Sequence, residues 1–270
     1  MPPPRDTNPS AYQEVFVNEL RARRDIAGLS RNKVAAALGC TPQWLAKVET
    51  FEKAPSEGLA DDLDTYFQTG GMFRRLWEKH QEARKHGLIP SGFRPLAEME
   101  PEVTQFSMFA PLLVPGLFQT EENARLVFLA EQRADKAEQL LAVRMERQSL
   151  LAKADPPLVF LLIREAVIRD LHPEIREGQC KRLLDLAAEQ NVSIQVIPSK
   201  ARVFQGSGFQ VLSFNDSADV VYVDGAGGNG QMVTDLAEVR RLTILFNMIR
   251  SAALAAEESG ELIRTIMEST

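Results

Sequence analysis

The chain has little of what builds disulfide scaffolds, metal centres or membrane spans. It holds two cysteines in 270 residues, Cys40 and Cys180, with no CxxC spacing. A disulfide framework is therefore excluded, and each thiol is expected as a small buried hydrophobe in a reducing compartment. The three histidines, His80, His86 and His172, lack metal-ligand spacing and are expected at the surface or at helix ends. No apolar run approaches the roughly 18 residues of a membrane span. The opening MPPPRDTNPS has no apolar signal-peptide core, so a cytoplasmic protein without membrane attachment is expected. No GxSxG, HExxH or Walker sequence occurs, and neither cofactor nor enzymatic activity is expected. Gly225–Gly230 does match GxGxxG, but no strand ending in an acid follows about 20 residues on, so it reads as a flexible turn.

What is present is globular material. The chain is 44% hydrophobic and 25% charged, and its length suits about two domains. The net charge of -6 argues against indiscriminate coating of nucleic acid. Locally the balance reverses. Between Ser30 and Val48 the charged residues are Arg31, Lys33 and Lys47, with Arg21, Arg23 and Arg24 just upstream. A basic strip on an acidic body fits site-specific binding by a small motif, with phosphate contacts for affinity and base contacts for choice.

That strip carries the signals of two helices joined by a tight turn. Ser30 is a hydroxyl N-cap followed by Val34, Ala35 and Leu38 at helical spacing, and Gly39 stands where a left-handed cap is needed. Thr41 caps a second helix with Pro42 at its first position, and Leu45 and Val48 share a face. Ala35 is small where the two helices cross. The segment reads as a helix-turn-helix, with helix 41–49 entering the major groove of double-stranded DNA. Gln43 suits adenine or phosphate, Lys47 suits phosphate or guanine, and Trp44 serves either as a groove contact or as a hydrophobic brace.

Over residues 13–70 the chain resembles the Xre/Cro-type repressor family. The likeness rests on Glu19-Leu20-Arg21-Ala22-Arg23-Arg24, Gly28-Leu29-Ser30, Val48-Glu49 and Pro55-Ser56. It implies a lambda-repressor-like helical head in which Arg21, Arg24, Arg31, Asn32, Thr41, Gln43, Trp44 and Lys47 contact DNA. Arg31 takes the place of the family's usual phosphate-reaching Gln.

Beyond the head, Met72–His86 reads as an amphipathic connecting helix, followed by a linker marked by Gly87, Pro90, Gly92 and Pro95. Strands are expected at 105–109, 158–163, 193–197, 209–214 and 220–223, the second buried on both faces. Helices are expected over 121–154, with a break near 134–135, then 178–190 and 233–258. The expected fold is α+β: a flexible arm over 1–11, a helical DNA-binding domain over 12–71, the connection over 72–95, and a mixed α/β domain over 96–270 with a small sheet flanked by helices.

This second part is similar to the WhiJ-like regulators of actinomycetes. The likeness rests on Val114-Pro115-Gly116-Leu117-Phe118-Gln119-Thr120, Asn123-Ala124-Arg125, Arg144-Met145-Glu146-Arg147-Gln148, Arg164-Glu165-Ala166-Val167, Ser193–Pro198 and Val221-Tyr222-Val223-Asp224. The resemblance implies an antitoxin-like transcriptional regulator beside a gene for a small companion protein. A homodimer on a palindromic operator is expected, controlled by that companion or by an effector; the alternative is a module whose main task is to sequester its partner. Gln119, Arg144, Arg147, Gln148 and Glu165 form the candidate ligand or partner site. The arginines and Gln148 share a helical face, where they bind an anion, pair with Glu165, or form a structural salt-bridge network.

Overall fold

The structure, a computed structural model, describes residues 10–269. The arm expected over 1–11 lies outside the described residues except for Ser10 and Ala11, which cap and begin the first helix. The chain divides into two compact units between Leu88 and Ile89.

In the first unit, hydroxyl caps set the helix starts. Ser10, Ser30, Thr41 and Ser56 each accept from the backbone N–H three residues on, opening α1 (Ala11–Ile26), α2 (Arg31–Ala37), α3 (Pro42–Glu49) and α4 (Glu57–Phe67). Gly39 turns the chain between α2 and α3 at φ 65°, a conformation costly for a residue with a Cβ. α5 (Met72–Leu88) follows. Read from the sequence as a connection, it packs against α1 and α4 and belongs to the head. Phe73, fully buried, meets Phe16 edge-to-face at 5.0 Å. The Asp64 carboxylate accepts from the N–H groups of Phe73 and Arg74 at 3.0 and 2.8 Å, tying the start of α5 to α4. One core results, with Phe16, Leu20, Val34, Leu45, Val48 and Leu63 fully buried within it.

His80 is a correction to the sequence reading. It is 2% exposed, and its Nδ1 lies 2.6 Å from Ser10 Oγ, because α5 lays that side chain against the beginning of α1. His172 does stand at a helix end, as an N-cap.

The second unit begins with α6 (Arg94–Met99) and β1 (Gln105–Ala110). α7 (Glu121–Glu131) and α8 (Ala134–Arg147) lead to β2 (Leu158–Arg164). α9 (Glu165–Arg169) and α10 (Pro173–Ala187) lead to β3 (Val192–Ile197). Then come β4 (Phe209–Ser213), β5 (Val220–Val223), β6 (Gln231–Val233), α11 (Leu236–Arg250) and α12 (Ala256–Glu268).

The six strands form one mixed sheet in the order β3-β2-β1-β4-β5-β6. β1, β2 and β3 run parallel, while β4, β5 and β6 are successively antiparallel. Alternation along the strands divides the apolar residues between two cores. Phe106, Met108, Leu161 and Ile163 pack with Cys180 and Leu183 of α10 and Ile263 of α12. Phe109, Leu162, Phe209 and Val221 pack with Val239, Leu242 and Phe246 of α11. β2 is thus covered on both faces, which accounts for its unbroken apolar run. The fold is α+β, a helical head followed by a mixed sheet flanked by helices.

Of two local expectations, one changes and one holds. The expected helix over 233–258 is two helices, α11 and α12, because the segment between them runs along the outer edge of β3. Leu254 N–H donates to Val196 O, and Val196 N–H donates to Ser259 Oγ, both at 2.9 Å. The edge strand's hydrogen-bonding groups displace the helix there. Gly225–Gly230 is the turn of the β5–β6 hairpin, with Gly230 N–H donating to the Tyr222 hydroxyl at 3.1 Å. β6 is too short to show in the sequence.

The cysteines are free. Cys180 is fully buried and its thiol is pushed up to about 11 by burial. Cys40 is only half-buried.

Candidate nucleic-acid interface

The sequence-predicted residues of the head fall into two groups with different surroundings. The first surrounds Glu49, the last residue of α3, which is 1% exposed. Its carboxylate accepts from Arg31 Nη2 at 2.7 Å and Nε at 2.9 Å, and from Arg24 Nε at 3.3 Å; its backbone carbonyl accepts from Arg21 Nη2. The α1 arginines therefore bind the C-terminal end of α3, where the helix dipole favours cations. Arg31, at the first position of α2, ties that helix to the same carboxylate. A buried carboxylate without these cations would be strongly disfavoured. Arg31 still keeps 42% of its side chain in solvent, whereas Arg24 keeps 19%.

The second group faces water. Asn32, Gln43 and Lys47 are exposed and their side chains make no hydrogen bond or ion pair among the described residues; Lys33 and Lys53 share this condition. Thr41 holds the start of α3, its Oγ1 accepting from Trp44 N–H at 3.2 Å. Trp44 itself lies half-buried against the head core to which Leu20 and Val48 belong. Lys33 and Lys53 were absent from the sequence-derived contacts. Lys33 was visible in the basic strip, while Lys53 comes into play through its backbone N–H, which donates to Lys47 O at 3.0 Å and draws the chain back toward α3.

In the second unit, the structure brings four of the five candidate residues together. Gln119, 2% exposed, donates to Val114 O at 3.0 Å and accepts from Arg144 Nη1 at 2.6 Å. Gln148 donates to both Gly116 O and Gln119 O at 2.8 Å. Arg147 grips Glu100, itself 4% exposed, through Nε at 2.8 Å and Nη2 at 2.5 Å. Glu165 stands apart. It accepts from Arg169 Nε at 2.6 Å and from Ser199 N–H at 2.8 Å, and the latter contact leads in holding its carboxyl below the usual range. A pair between Glu165 and Arg144 or Arg147 is not formed. Glu165 instead joins the ends of β2 and β3, whereas the arginines serve the loop after β1.

Sequence reasoning missed Glu100 and Gln179. Gln179, fully buried, accepts from Thr120 N–H at 2.9 Å and Asn123 Nδ2 at 2.8 Å, and donates to Phe118 O at 2.8 Å. The hydrophilic side chain gave no hint of this position inside α10. No helix of the described residues is long and apolar enough to cross a membrane. Among them no three metal-binding side chains gather.

With two capped helices joined at Gly39, the first unit is a helix-turn-helix domain of the DNA-binding class; residues 15–77 match the family described as "Helix-turn-helix domain". Residues 93–265 match "Domain of unknown function (DUF5753)", nearly the whole second unit and more than half the chain, and the protein belongs to that family. Neither a curated protein nor a solved structure matches the chain.

Proposed function

We propose that this protein is a cytoplasmic, sequence-specific transcriptional regulator, a repressor of antitoxin-like type, acting as a homodimer on a palindromic operator. One observation carries the reading: Asn32, Gln43 and Lys47 lie exposed and unengaged around the helix-turn-helix, while three nearby arginines converge on Glu49. Arg21, Arg24 and Arg31 hold α3 against α1 and α2 and keep a positive field beside it. Gln43, near the start of α3, reaches an adenine edge; Lys47, one turn on, reaches phosphate or guanine. Thr41 fixes the start of the helix. One recognition helix covers too few base pairs to define a genomic site, so two heads read half-sites about 34 Å apart.

The second unit supplies the dimer contacts and receives a small companion protein or an effector. A ligand that prefers one dimer geometry shifts operator affinity by that preference, and DNA shifts ligand affinity by the same factor. The alternative, sequestration of a partner as the main task, is supported by the exposed apolar side chains Leu112, Phe204 and Met248, which are 74%, 90% and 65% exposed.

Selection of random duplexes by the full chain tests the main reading. Enrichment of a palindrome with half-sites one helical turn apart, bound by a sedimenting dimer, supports it. Salt-sensitive binding without any sequence enrichment refutes it. A companion whose binding is indifferent to operator DNA favours sequestration.

A further inference from the structure

The polar cluster beside α8 holds two guanidinium groups and one carboxylate. Glu100 gives both of its oxygens to Arg147, which meets them with its Nε–Nη2 edge. Arg144, one turn earlier on the helix, presents the same edge to no acceptor among the described residues. Its Nη1 is held by Gln119 Oε1, and its guanidinium carbon lies 4.2 Å from the centre of the Phe128 ring. Its Nε is buried without a hydrogen bond, and no ion pair reaches the group among the described residues. Gln119 is neutral, so the contact that fixes the group does not offset its charge. Burial, and then the adjacent Arg147, push its pKa down to about 10.

We propose that Arg144 anchors a binding site for an organic anion, whose carboxylate or phosphate oxygens take the Nε–Nη2 edge as Glu100 takes that of Arg147. A planar fork that is already oriented on an aromatic face loses little freedom when it meets a two-oxygen anion. Position 116 bears on the same edge. A Cβ there would come 3.2 Å from Arg144 Nε, so any larger residue would press on this edge and glycine is the residue that spares it. The Gly116 carbonyl is turned away to Gln148, and the loop that follows is pinned by Gln119 and Gln179. Arg144 is half-buried as a residue while its Nε is closed off from solvent, so an anion reaches the edge only as the side chains around it give way. The site deepens the reading that the second unit responds to an effector, and it gives that effector a chemical class.

The test uses the full chain without DNA, at constant ionic strength in chloride, titrated with sodium benzoate in one arm and inorganic phosphate in the other. Calorimetry and thermal melting are both followed. Saturable binding of one probe to the wild type, weakened at least tenfold in Arg144→Gln and in Arg144→Lys, is expected. Benzoate as the saturating probe assigns a carboxylate ligand; phosphate assigns a phosphate ester. Should the variants not fold, the Arg144 Nε–H resonance of the wild type provides the answer, because it must move with the same saturation curve. Failure of both probes to bind saturably, equal binding by Arg144→Gln, or a stationary Nε–H resonance overturns the proposal. DNA is absent, so such a failure leaves operator recognition by the head untouched, and a failure of operator binding leaves this site untouched.

Discussion

Replacement of Glu49 by glutamine keeps the shape of the buried side chain and removes its charge. Arg24 and Arg31 then face a neutral amide at the distances where they now meet a carboxylate, 3.3 and 2.7 Å. Removing one partner from a fully buried pair costs about 3–5 kcal/mol. Here the cations retain 19% and 42% of their side-chain surface and can turn toward water, which lowers the loss. A destabilisation of about 2–3 kcal/mol follows, nearer the buried limit than the roughly 0–1 kcal/mol of surface bridges. For a unit this small each kcal/mol shifts the midpoint by about 4–8 °C, so melting should fall by roughly 10–20 °C. Circular dichroism of a fragment of residues 1–88, which retains Phe73 in the core, measures this directly. DNA binding should respond in the opposite sense. In the folded variant the arginines are no longer neutralised, and the salt dependence of non-specific binding should steepen by about one unit. A melting shift of only 1–2 °C together with an unchanged salt slope would refute the idea that Glu49 organises these arginines.

Lys47→Ala should flatten the salt dependence by about 0.9 unit on any duplex, leaving stability within about 0.5 kcal/mol; Gln43→Ala should instead relax preference at one base pair, by about 1–3 kcal/mol. Band-shift titrations over a range of salt separate the two, and unchanged slopes for Lys47→Ala would remove its phosphate role. Trp44→Ala should lower the head's melting point, since the ring lies half-buried against the core; normal DNA binding by the remaining folded protein would identify a brace, and lost binding at full stability a groove contact. Glu165 titrates below its ordinary value of 4.5 in the folded chain, so the stability it contributes is full above that pH and is lost as pH falls through the lower folded value. Glu165→Gln should therefore destabilise the second unit at pH 7 and approach the wild type in acid; a gap between the two that is constant with pH would contradict this.

How much was legible in the sequence depended on the range of the interactions involved. Ser30, Thr41 and Thr120 each satisfy a backbone N–H three residues away, so their hydroxyls marked helix starts without knowledge of the fold. Gly39 marked the turn because its backbone angle is a local demand. The strands β1 to β5 were legible as alternating or continuous apolar runs, whose pattern follows from which faces are covered. α5 was legible as a helix, but its membership of the head depended on Phe73 meeting Phe16, 57 positions apart in the chain. The break between α11 and α12 depended on the edge of a strand more than 50 residues earlier.

The functional residues divide in the same way. Composition alone placed a basic strip with Gln43 and Lys47 on an acidic chain, because charge and helical spacing are properties of the sequence. Which cations remain available was decided by tertiary structure, since Glu49 draws in arginines from α1 and α2 that lie 18 to 28 positions away. Arg144 and Arg147 look equivalent in sequence, three residues apart on one helix. Packing gives Arg147 the buried carboxylate of this cluster, Glu100, and leaves Arg144 with an amide. Local hydrogen-bond chemistry thus determined where the elements begin and end, whereas the partner of each charge was decided by contacts between segments that only the folded chain brings within hydrogen-bonding distance.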